Sequence, residues 1–381
     1  MNGVGPESPS RLQKVLVLYG TRPEVIKMAP VVRALEARPD AFEVTVCTTA
    51  QHREAIDQMQ PSLGVSPDLD LDLMRPRQRL NALAARVLSA MDEVLERLAP
   101  DRLLVQGDTT SAAAAALAAF HCGVRVGHVE AGLRTDDLAR PFREEANRRL
   151  IDLVARDLFA PTERAAARLR AEGAPAESVH LTGNTVVDAL HELARGAAPE
   201  TGDEVLVTVH RRESFGRPIE RIFQALVELA ERHQGLRWVY PVHPNPEVAE
   251  RARRLLGGVA NLELHPPFDY PELVRRLLVC RLVLTDSGGI QEEAPTFGKP
   301  VLVLRDTTER PEGIDAGVAR LVGTETDRIV AAVDELLSDD RAYAAMAKRA
   351  NPYGDGRAAE RIAAALAGEP YEPFRADGAG S

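Results

Sequence analysis

Short apolar strands alternate with longer helical segments along almost the whole chain, and this alternation constrains the fold more than any other feature. The first strand, residues 15–19, ends in Gly20-Thr21-Arg22-Pro23-Glu24, and helical spacing follows over residues 25–37. Further strands are predicted at residues 42–48, 103–105, 124–129, 158–161 and 179–182. Strands joined through helices pair in parallel, so this half predicts a parallel sheet covered by helices.

The strand–helix pattern stops at residues 195–203, where Gly, Ala, Pro and acidic residues predominate, and then begins again. We interpret this segment as an interdomain linker. Strands are predicted after it at 204–209, 238–242, 262–264, 282–285 and 300–304. A chain of 381 residues can form two cores. The sequence therefore predicts an α/β fold with two Rossmann-like parallel-sheet domains, residues 12–194 and 204–354, facing a cleft, with residues 1–11 as a disordered tail.

Composition excludes several classes of protein. The net charge of −10 argues against a general nucleic-acid binder. No apolar run is long enough to span a bilayer, and residues 1–11 lack the apolar core of a signal peptide, so we expect a cytoplasmic protein without a membrane partner. Cys47, Cys122 and Cys280 are far apart and lie in or beside apolar runs, which predicts buried, reduced thiols. No metal-ligand spacing is present, and we expect no cofactor.

The turn Asp286-Ser287-Gly288-Gly289 follows the strand at 282–285 and begins a helix. Free N–H groups and the positive end of the helix dipole would face the same point, which suits a phosphate. Glu293, one turn later, could reach the hydroxyls of an attached ribose. The alternative is a structural turn that needs glycine for a positive φ.

Basic residues follow the first strand of each half. They are Arg22 and Lys27 in the first half, and His210, Arg211 and Arg212 in the second. Each alone reads as a solvated surface charge. Together with the glycine turn, they would form a pyrophosphate clamp.

Acidic residues lie at the carboxyl ends of two predicted strands. Asp108 follows the strand at 103–105, and Glu130 follows the strand at 124–129. Ligands of open α/β sheets bind at this edge, and a carboxylate there can serve as a general acid or base. The alternative is a helix cap or an ion pair with arginine. Glu144 and Arg148 are one turn apart at the start of a helix, on one face.

These residues lie within longer segments that resemble the non-hydrolysing bacterial UDP-N-acetylglucosamine 2-epimerases. The segments are residues 20–24, 49–53, 107–110, 127–135, 144–148, 182–185, 210–214, 285–293 and 305–311. Their order matches over nearly the whole chain. The resemblance implies a glycosyltransferase-B type fold, a homodimer, and a C-terminal helix within residues 355–372 that returns to the first domain.

The resemblance also implies an activity, the reversible interconversion of UDP-GlcNAc and UDP-ManNAc. UDP is eliminated to give 2-acetamidoglucal and is added again after a proton reaches the other face of C2. Asp108, Glu130 and Glu144 match the family's catalytic acids. Residues that would stabilise departing UDP are Arg22, Lys27, His210, Ser287, Gly288 and Gly289. Glu293 would bind the ribose, and Arg148 would bind the sugar or Glu144.

A second set of residues matches positions that bind a second UDP-GlcNAc in the non-hydrolysing enzymes. These are Gln51, His52, Arg77, Gln78, Arg211 and His243. The set favours epimerisation without hydrolysis, together with activation by substrate. The alternatives are a hydrolysing epimerase that releases ManNAc and UDP, a UDP-sugar glycosyltransferase, or a nucleotide-sugar sensor without activity. One departure from the family pattern is Arg143, where a proline commonly precedes the Glu-Glu pair.

Overall fold

The computed structural model describes residues 12–51, 59, 62–75, 77–139, 141–211 and 214–376. The chain forms two compact units. Unit 1 contains the described residues up to Ala189 together with Gly356–Phe374, and unit 2 contains Leu190–Asp355 and the residues from Arg375. The tail predicted at residues 1–11 lies outside the described residues.

Unit 1 is built on a seven-stranded parallel sheet with the strand order β3-β2-β1-β4-β5-β6-β7. The strands are β1 Gln13–Tyr19, β2 Phe42–Thr48, β3 Leu69–Asp70, β4 Arg102–Gln106, β5 Arg125–Val129, β6 Asp157–Ala160 and β7 Val179–Leu181. The helices are α1 Arg22–Glu36, α2 Leu80–Leu98, α3 Thr110–His121, α4 Glu144–Val154 and α5 Glu163–Ala171, with a 3₁₀ turn at Ala176–Ser178. Helix α6, Thr185–Leu193, crosses the boundary between the units.

Unit 2 is built on a six-stranded parallel sheet with the order β10-β9-β8-β11-β12-β13. The strands are β8 Glu204–Thr208, β9 Arg237–Pro241, β10 Leu262–His265, β11 Leu282–Thr285, β12 Val301–Val303 and β13 Ala319–Leu321. The helices are α7 Arg217–Arg232, α8 Pro246–Leu256, α9 Tyr270–Val279, α10 Gly288–Glu293, α11 Pro311–Asp315, α12 Thr326–Ser338 and α13 Asp340–Ala347, with a 3₁₀ turn at Ala294–Phe297. The last helix, α14 Ala358–Ala367, belongs to unit 1 and packs against α1.

The central strands are apolar throughout because helices cover both faces of each sheet. In unit 1, Leu16 and Leu103 are fully buried in a cluster to which α2 and α3 contribute. In unit 2, Val205 and Trp238 are fully buried in a cluster shared with α7 and α12. None of the helices in the described part of the chain combines the length and apolar character that a bilayer crossing requires.

The predicted strands occur in the structure, and those at 42–48 and 282–285 agree residue for residue. Strands β3 and β13 were not predicted. Both are edge strands of two or three residues, too short to show a periodicity. Residues 195–203, for which we predicted a linker, bond to the end of α9 through the amides of Glu200 and Gly202.

One cysteine prediction was wrong. Cys47 and Cys280 are buried, but Cys122 is exposed. Cys122 caps the carboxyl end of α3, whose last turn also exposes Phe120. The apolar composition of this helix therefore does not imply that its final turn is buried.

Each sheet has one point where the strand order reverses, between β1 and β4 in unit 1 and between β8 and β11 in unit 2. In open α/β sheets, ligands bind outside the carboxyl ends of the strands at this point. Most of the predicted site residues follow these four strands or their neighbours, whereas Arg77 and Gln78 follow the edge strand β3. The topology therefore identifies one candidate region in each unit.

Candidate active site

The turn after β1 is held by a buried carboxylate. Glu24 Oε2 accepts hydrogen bonds from the amides of Gly20, at 2.6 Å, and Thr21, at 2.8 Å. Its Oε1 accepts a hydrogen bond from Thr109 Oγ1 at 2.6 Å. Burial raises the pKa of Glu24, although these hydrogen bonds oppose the shift. The turn that carries Arg22 is thereby tied to the loop after β4, and Arg22 forms no ion pair with any described residue.

Glu130, directly after β5, is buried, and the side chains of Lys27, Asn184 and Gln106 contact its carboxylate. Both of its carboxylate oxygens lie 2.7 Å from Lys27 Nζ. Asn184 Nδ2 donates to Oε1 at 3.3 Å, and Gln106 Nε2 donates to Oε2. The backbone of Glu130 has φ +68°, a left-handed conformation that is uncommon for this residue type and often marks functional sites. Lys27, predicted to contact phosphate, neutralises a carboxylate here.

Asp108 leaves the same sheet edge as Glu130. Strands β4 and β5 are neighbours, and Gln106 is paired with Val129, so the two acids follow adjacent strand ends. Asp108 Oδ2 accepts hydrogen bonds from Arg148 Nη2 at 2.5 Å and Nε at 3.2 Å. Adjacent strands are about 4.8 Å apart, which brings two carboxylates to one short stretch of the edge.

Two partners were predicted for Arg148, the sugar and Glu144, and the second is not the acid that it contacts. Arg148 Nη1 bonds to Glu145 Oε2 at 3.1 Å, besides the contact of Arg148 with Asp108. Glu145 is fully buried, whereas the Glu144 side chain is 34% exposed. Of the two adjacent acids of α4, Arg148 therefore pairs with the buried one, Glu145.

Glu144 begins α4 after an unusual backbone conformation. Arg143 has φ +87°, and its Nη2 lies 3.6 Å from Glu144 Oε1. A proline, whose φ is fixed near −65°, cannot adopt this conformation. The backbone therefore approaches Glu144 along a path that a chain with proline at this position cannot follow.

In unit 2, one buried carboxylate organises the loop after β8. Asp286 is fully buried at the end of β11. It accepts hydrogen bonds from the amides of His210, at 3.0 Å, and Arg211, at 2.9 Å, and from Ser214 Oγ at 2.9 Å. In the sequence, Asp286 stands at the start of the glycine turn, and the motif pattern indicates no role for it. The available signal was a carboxylate directly after a buried strand.

His210 lies between charged and aromatic groups. Its Nδ1 is 3.3 Å from Asp286 Oδ1, and its ring stacks on that of His243, with 5.9 Å between centroids and 15° between planes. Burial lowers the pKa of His210; Asp286 opposes this shift, whereas Arg211 and His243 add to it. The imidazole is therefore neutral near pH 7.

The glycine turn after β11 is not built on positive φ angles. Gly288 and Gly289 are absent from the residues with positive φ, and α10 begins at Gly288. A Cβ at Gly288 would lie 2.9 Å from Glu309 Oε1 and 3.2 Å from Arg211 Nη2. The structural alternative, a turn that needs glycine for its φ, is therefore wrong. Gly288 instead leaves room for the Arg211–Glu309 ion pair, whose atoms are 2.9 Å apart.

Glu309 lies in a cluster of arginines. Burial raises the pKa of its carboxyl, but the charges of Arg310, Arg305 and Arg211 outweigh that effect and lower the pKa to about 2. Glu309 is therefore ionised at any physiological pH. Arg211, which we predicted to bind a second nucleotide sugar, has a fixed anionic partner.

The remaining predicted residues are dispersed over several elements. Ser287 precedes α10, and Glu293 is its last residue and is nearly buried. Gln51 Oε1 accepts a hydrogen bond from Ser111 Oγ at 2.8 Å, near the start of α3. Arg77 is exposed with φ +53°. Gln78 Nε2 contacts a methionine sulfur in the preceding loop, and His52 lies outside the described residues.

A family model, two relatives and a solved structure that resemble this chain have the same enzyme description. A family model described as UDP-N-acetylglucosamine 2-epimerase matches residues 33–367. A UDP-N-acetylglucosamine 2-epimerase of Yersinia pestis is 51% identical, with 93% of this chain and 98% of that protein covered. The protein of the same name from Escherichia coli K12 is 49% identical with the same coverage. A crystal structure of the Neisseria meningitidis UDP-GlcNAc 2-epimerase bound to UDP-GlcNAc is 42% identical, with a TM-score of 0.85 and coverage of 93% and 99%.

Two Rossmann-like parallel-sheet units, with these structural matches, define an α/β enzyme of the glycosyltransferase-B type. Within the ranges that the structure describes, no three His, Cys, Asp or Glu side chains are grouped as a metal site would require. The chain belongs to the UDP-N-acetylglucosamine 2-epimerase family and is an isomerase of that family. The resemblance seen in the sequence motifs is confirmed.

Proposed function

We propose that this enzyme interconverts UDP-GlcNAc and UDP-ManNAc by inverting C2 of the sugar. The names of the relatives and the UDP-GlcNAc bound to the Neisseria protein support this substrate. The observation that carries the proposal is a pair of acids on adjacent strand ends, each held by a cation: Asp108 by Arg148 and Glu130 by Lys27. Inversion at carbon needs this kind of pair, because one proton leaves and another arrives on the opposite face.

The reaction has two halves that mirror each other. In the first, a base takes the C2 proton while the C1–O bond breaks, its electron pair leaves with UDP, and a C1–C2 double bond forms to give 2-acetamidoglucal. In the second, a proton is delivered to the other face of C2, and an oxygen of UDP forms a new bond to C1. The C2 proton is barely acidic until the C1–O bond has largely broken. Stabilisation of the leaving group is therefore as important as the base.

The acids of unit 1 carry the proton transfers. Asp108 Oδ2 is held by Arg148, whereas Oδ1 accepts no hydrogen bond from the described part of the chain, so Oδ1 is available to a substrate proton. Lys27 favours the ionised form of Glu130. Glu144 is partly exposed and can exchange its proton with water. Two of these three acids act on opposite faces of C2.

Residues of unit 2 bind the nucleotide and stabilise UDP as it leaves. Gly288 and Gly289 offer main-chain N–H groups to the diphosphate, and Ser287 offers its hydroxyl, because its amide donates to Thr285 Oγ1 at 2.9 Å. Neutral His210 donates a hydrogen bond, and Glu293 binds the ribose. Preorganised donors of this kind contribute about 3–4 kcal/mol each to related reactions. In unit 1, Arg22 binds a phosphate oxygen, since it has no ion-pair partner among the described residues.

Incubation with UDP-GlcNAc in D₂O, followed by NMR, tests the activity. UDP-ManNAc with deuterium at C2 is the expected product, because the arriving proton comes from groups in exchange with solvent. Free ManNAc together with UDP would instead indicate a hydrolysing epimerase. Turnover only after an added acceptor would indicate a glycosyltransferase, and binding of UDP-GlcNAc without any product would indicate a sensor.

The proposal extends to activation by a second UDP-GlcNAc, bound through Gln51, His52, Arg77, Gln78, Arg211 and His243. The stack of His243 on His210 supports it, because a ligand that contacts His243 would bear directly on a catalytic side chain. Reaction progress from UDP-ManNAc alone should show a lag that added UDP-GlcNAc removes. Progress without a lag, unchanged by UDP-GlcNAc, would reject the activation and leave the epimerase activity untouched.

We also propose that the enzyme is a homodimer formed through α3 and α4, which pack against each other. Four large apolar side chains are exposed there: Leu117, Phe120, Leu150 and Leu153. Leu153→Glu should convert a dimer to a monomer in analytical ultracentrifugation. Leu255→Glu, at an exposed leucine of α8, is the matched control and should leave the mass unchanged. A monomeric wild-type protein would reject the dimer.

A further inference from the structure

Glu144 and Glu145 are adjacent acids with opposite surroundings. Glu144 is partly exposed, whereas Glu145 is fully buried. A buried charge is retained only where partners compensate its lost hydration. Glu145 has no part in the proposed proton transfers or in nucleotide binding. Its burial must therefore be explained by another role.

Glu145 accepts hydrogen bonds from Arg148, Thr135 and Arg149. Arg148 also bonds to the proposed catalytic acid Asp108, and Thr135 lies in the loop after the proposed catalytic acid Glu130. Oε2 accepts hydrogen bonds from Arg148 Nη1 at 3.1 Å and from the amide of Thr135 at 3.0 Å. Oε1 accepts a hydrogen bond from Arg149 Nε at 2.8 Å. Arg148 continues to Asp108, and Thr135 lies in the loop that follows Glu130. Glu145 thus connects α4 to the segments that follow β4 and β5.

Because the guanidinium group of Arg148 is rigid, its contact with Glu145 fixes the edge that Arg148 turns toward Asp108. The group is planar, and its five donors form a rigid fork. When Glu145 engages Nη1 of Arg148, the edge that contains Nη2 and Nε faces Asp108 Oδ2. An Arg148 without Glu145 would regain its rotamers, and Asp108 would lose its fixed orientation.

Glu145 is ionised in this environment. Burial raises the pKa of its carboxyl, but hydrogen bonds from Arg149 and Thr135, together with the charge of Arg148, bring the pKa below its ordinary value. The carboxylate therefore acts as an acceptor from all three donors. A neutral amide in its place could accept at only one atom.

We propose that Glu145 is a positioning residue for the proton transfer. It fixes Arg148 so that Arg148 holds Oδ2 of Asp108 and leaves Oδ1 directed to the reacting carbon. It also ties the loop after Glu130 to α4. The inference rests on the proposed function, in which Asp108 exchanges a proton with C2.

The test compares Glu145→Gln with Arg149→Gln. The second variant removes the one partner of Glu145 that does not lead to a catalytic acid, and it should keep wild-type turnover. Glu145→Gln should lower kcat for deuterium incorporation at C2 by about 10²-fold, the effect of misplacing a reacting group by about 1 Å. UDP affinity, measured by calorimetry, should stay unchanged in both variants.

A double-mutant cycle separates positioning from general stability. If Glu145 acts through Arg148, the effects of Glu145→Gln and Arg148→Lys on kcat should be strongly non-additive. Additive effects would overturn the inference, and so would wild-type kcat in Glu145→Gln. Equal losses in Glu145→Gln and Arg149→Gln, together with weaker UDP binding, would show a merely structural role.

Failure of the inference and failure of the proposed function give different results. A wild-type enzyme that incorporates no deuterium at C2 overturns both. Deuterium incorporation at equal rates in wild type and Glu145→Gln overturns only the role of Glu145. If Glu145→Gln does not fold, Glu145→Asp serves instead. Aspartate keeps the charge, but its side chain is too short to reach Arg148 and Thr135 together. The same loss of kcat is expected.

Discussion

The two sheet edges occupy the same topological position in their units but are stabilised in different ways. In unit 1, the acids after β4 and β5 pair with long cationic side chains: Asp108 with Arg148 and Glu130 with Lys27. In unit 2, Asp286 after β11 accepts two main-chain amides of the loop after β8. Carboxylates held by side chains keep their positions and can still exchange protons. A carboxylate bound to amides determines the conformation of a loop.

We propose that the sheet edge of unit 1 carries the proton transfers and that the sheet edge of unit 2 binds the nucleotide. We expect changes at the edge of unit 1 to affect turnover more than nucleotide affinity, since we propose that the acids there exchange protons with the substrate. Changes at the edge of unit 2 should affect affinity, because the loop and helix there carry the residues proposed to hold UDP.

The largest expected effect is the loss of turnover in Asp108→Asn. Removal of a general acid or base costs about 10²–10⁴ in rate, and we expect a fall in kcat of about 10³-fold with unchanged UDP affinity. Steady-state kinetics and calorimetry with UDP measure the two quantities. Asp40→Asn, at an exposed acid of unit 1, is the control. Near-normal turnover in Asp108→Asn would remove Asp108 from the catalytic set.

Removal of one partner from the buried Lys27–Glu130 ion pair of unit 1 should lower the free energy of unfolding. Lys27→Met removes the cation that lies 2.7 Å from both carboxylate oxygens of the buried Glu130, which should lower the free energy of unfolding by about 3 kcal/mol. The double variant Lys27→Met with Glu130→Gln removes both charges and should recover part of that loss. Urea denaturation compares the two proteins. Equal midpoints for the single and double variants would contradict a buried ion pair.

In unit 2, Asp286→Asn should weaken nucleotide binding. An amide accepts at one atom and has no charge, so the loop at His210 and Arg211 loses about 2 kcal/mol of hydrogen bonding. We expect UDP affinity to fall by about 30-fold, in contrast to Asp108→Asn. Ser214→Ala removes only one of the contacts of Asp286 and should have a smaller effect. UDP affinity equal to that of the wild type would show that this loop does not hold the nucleotide.

The smallest expected effect is a difference in acid sensitivity. Burial lowers the pKa of His210, and of His191 in the same unit, from the ordinary value of 6.5. Below about pH 6.5 the unfolded chain binds more protons at these groups than the folded chain does. Their stabilisation is therefore complete above that pH and is lost as the pH falls through the folded pKa values.

In unit 1, arginine and histidine neighbours lower the pKa of Asp152 and Asp157, despite burial, from an ordinary value of 3.8. Their contribution is retained until the pH falls below about 4. Unit 2 should therefore lose stability first, as the pH falls below about 6.5 and before it reaches about 4. Hydrogen exchange followed by mass spectrometry can resolve the two units, and His210→Gln should reduce the loss in unit 2. Equal loss in both units over this range would contradict the assignment.

Much of the fold followed from local patterns. Buried parallel strands are continuous apolar runs, and the segments at 42–48 and 282–285 carried enough residues to define their ends. Edge strands β3 and β13 were missed because two or three residues contain no periodicity. The exposure of Cys122 was also missed, because an alanine-rich helix gives no sign of which turn faces solvent.

The sequence by itself determined the two parallel sheets, the family, and which side chains lie at the strand ends, because each depends on residue order along one element. Only the tertiary structure decided the pairings, since these join residues distant in sequence or choose between neighbours on a helix. It directed Arg148 to Asp108 and Glu145, placed Lys27 on Glu130, and gave Asp286 its role in the loop of His210. It also showed that the Arg211–Glu309 pair lies beside the Cα of Gly288, where the Cβ of another residue would displace it.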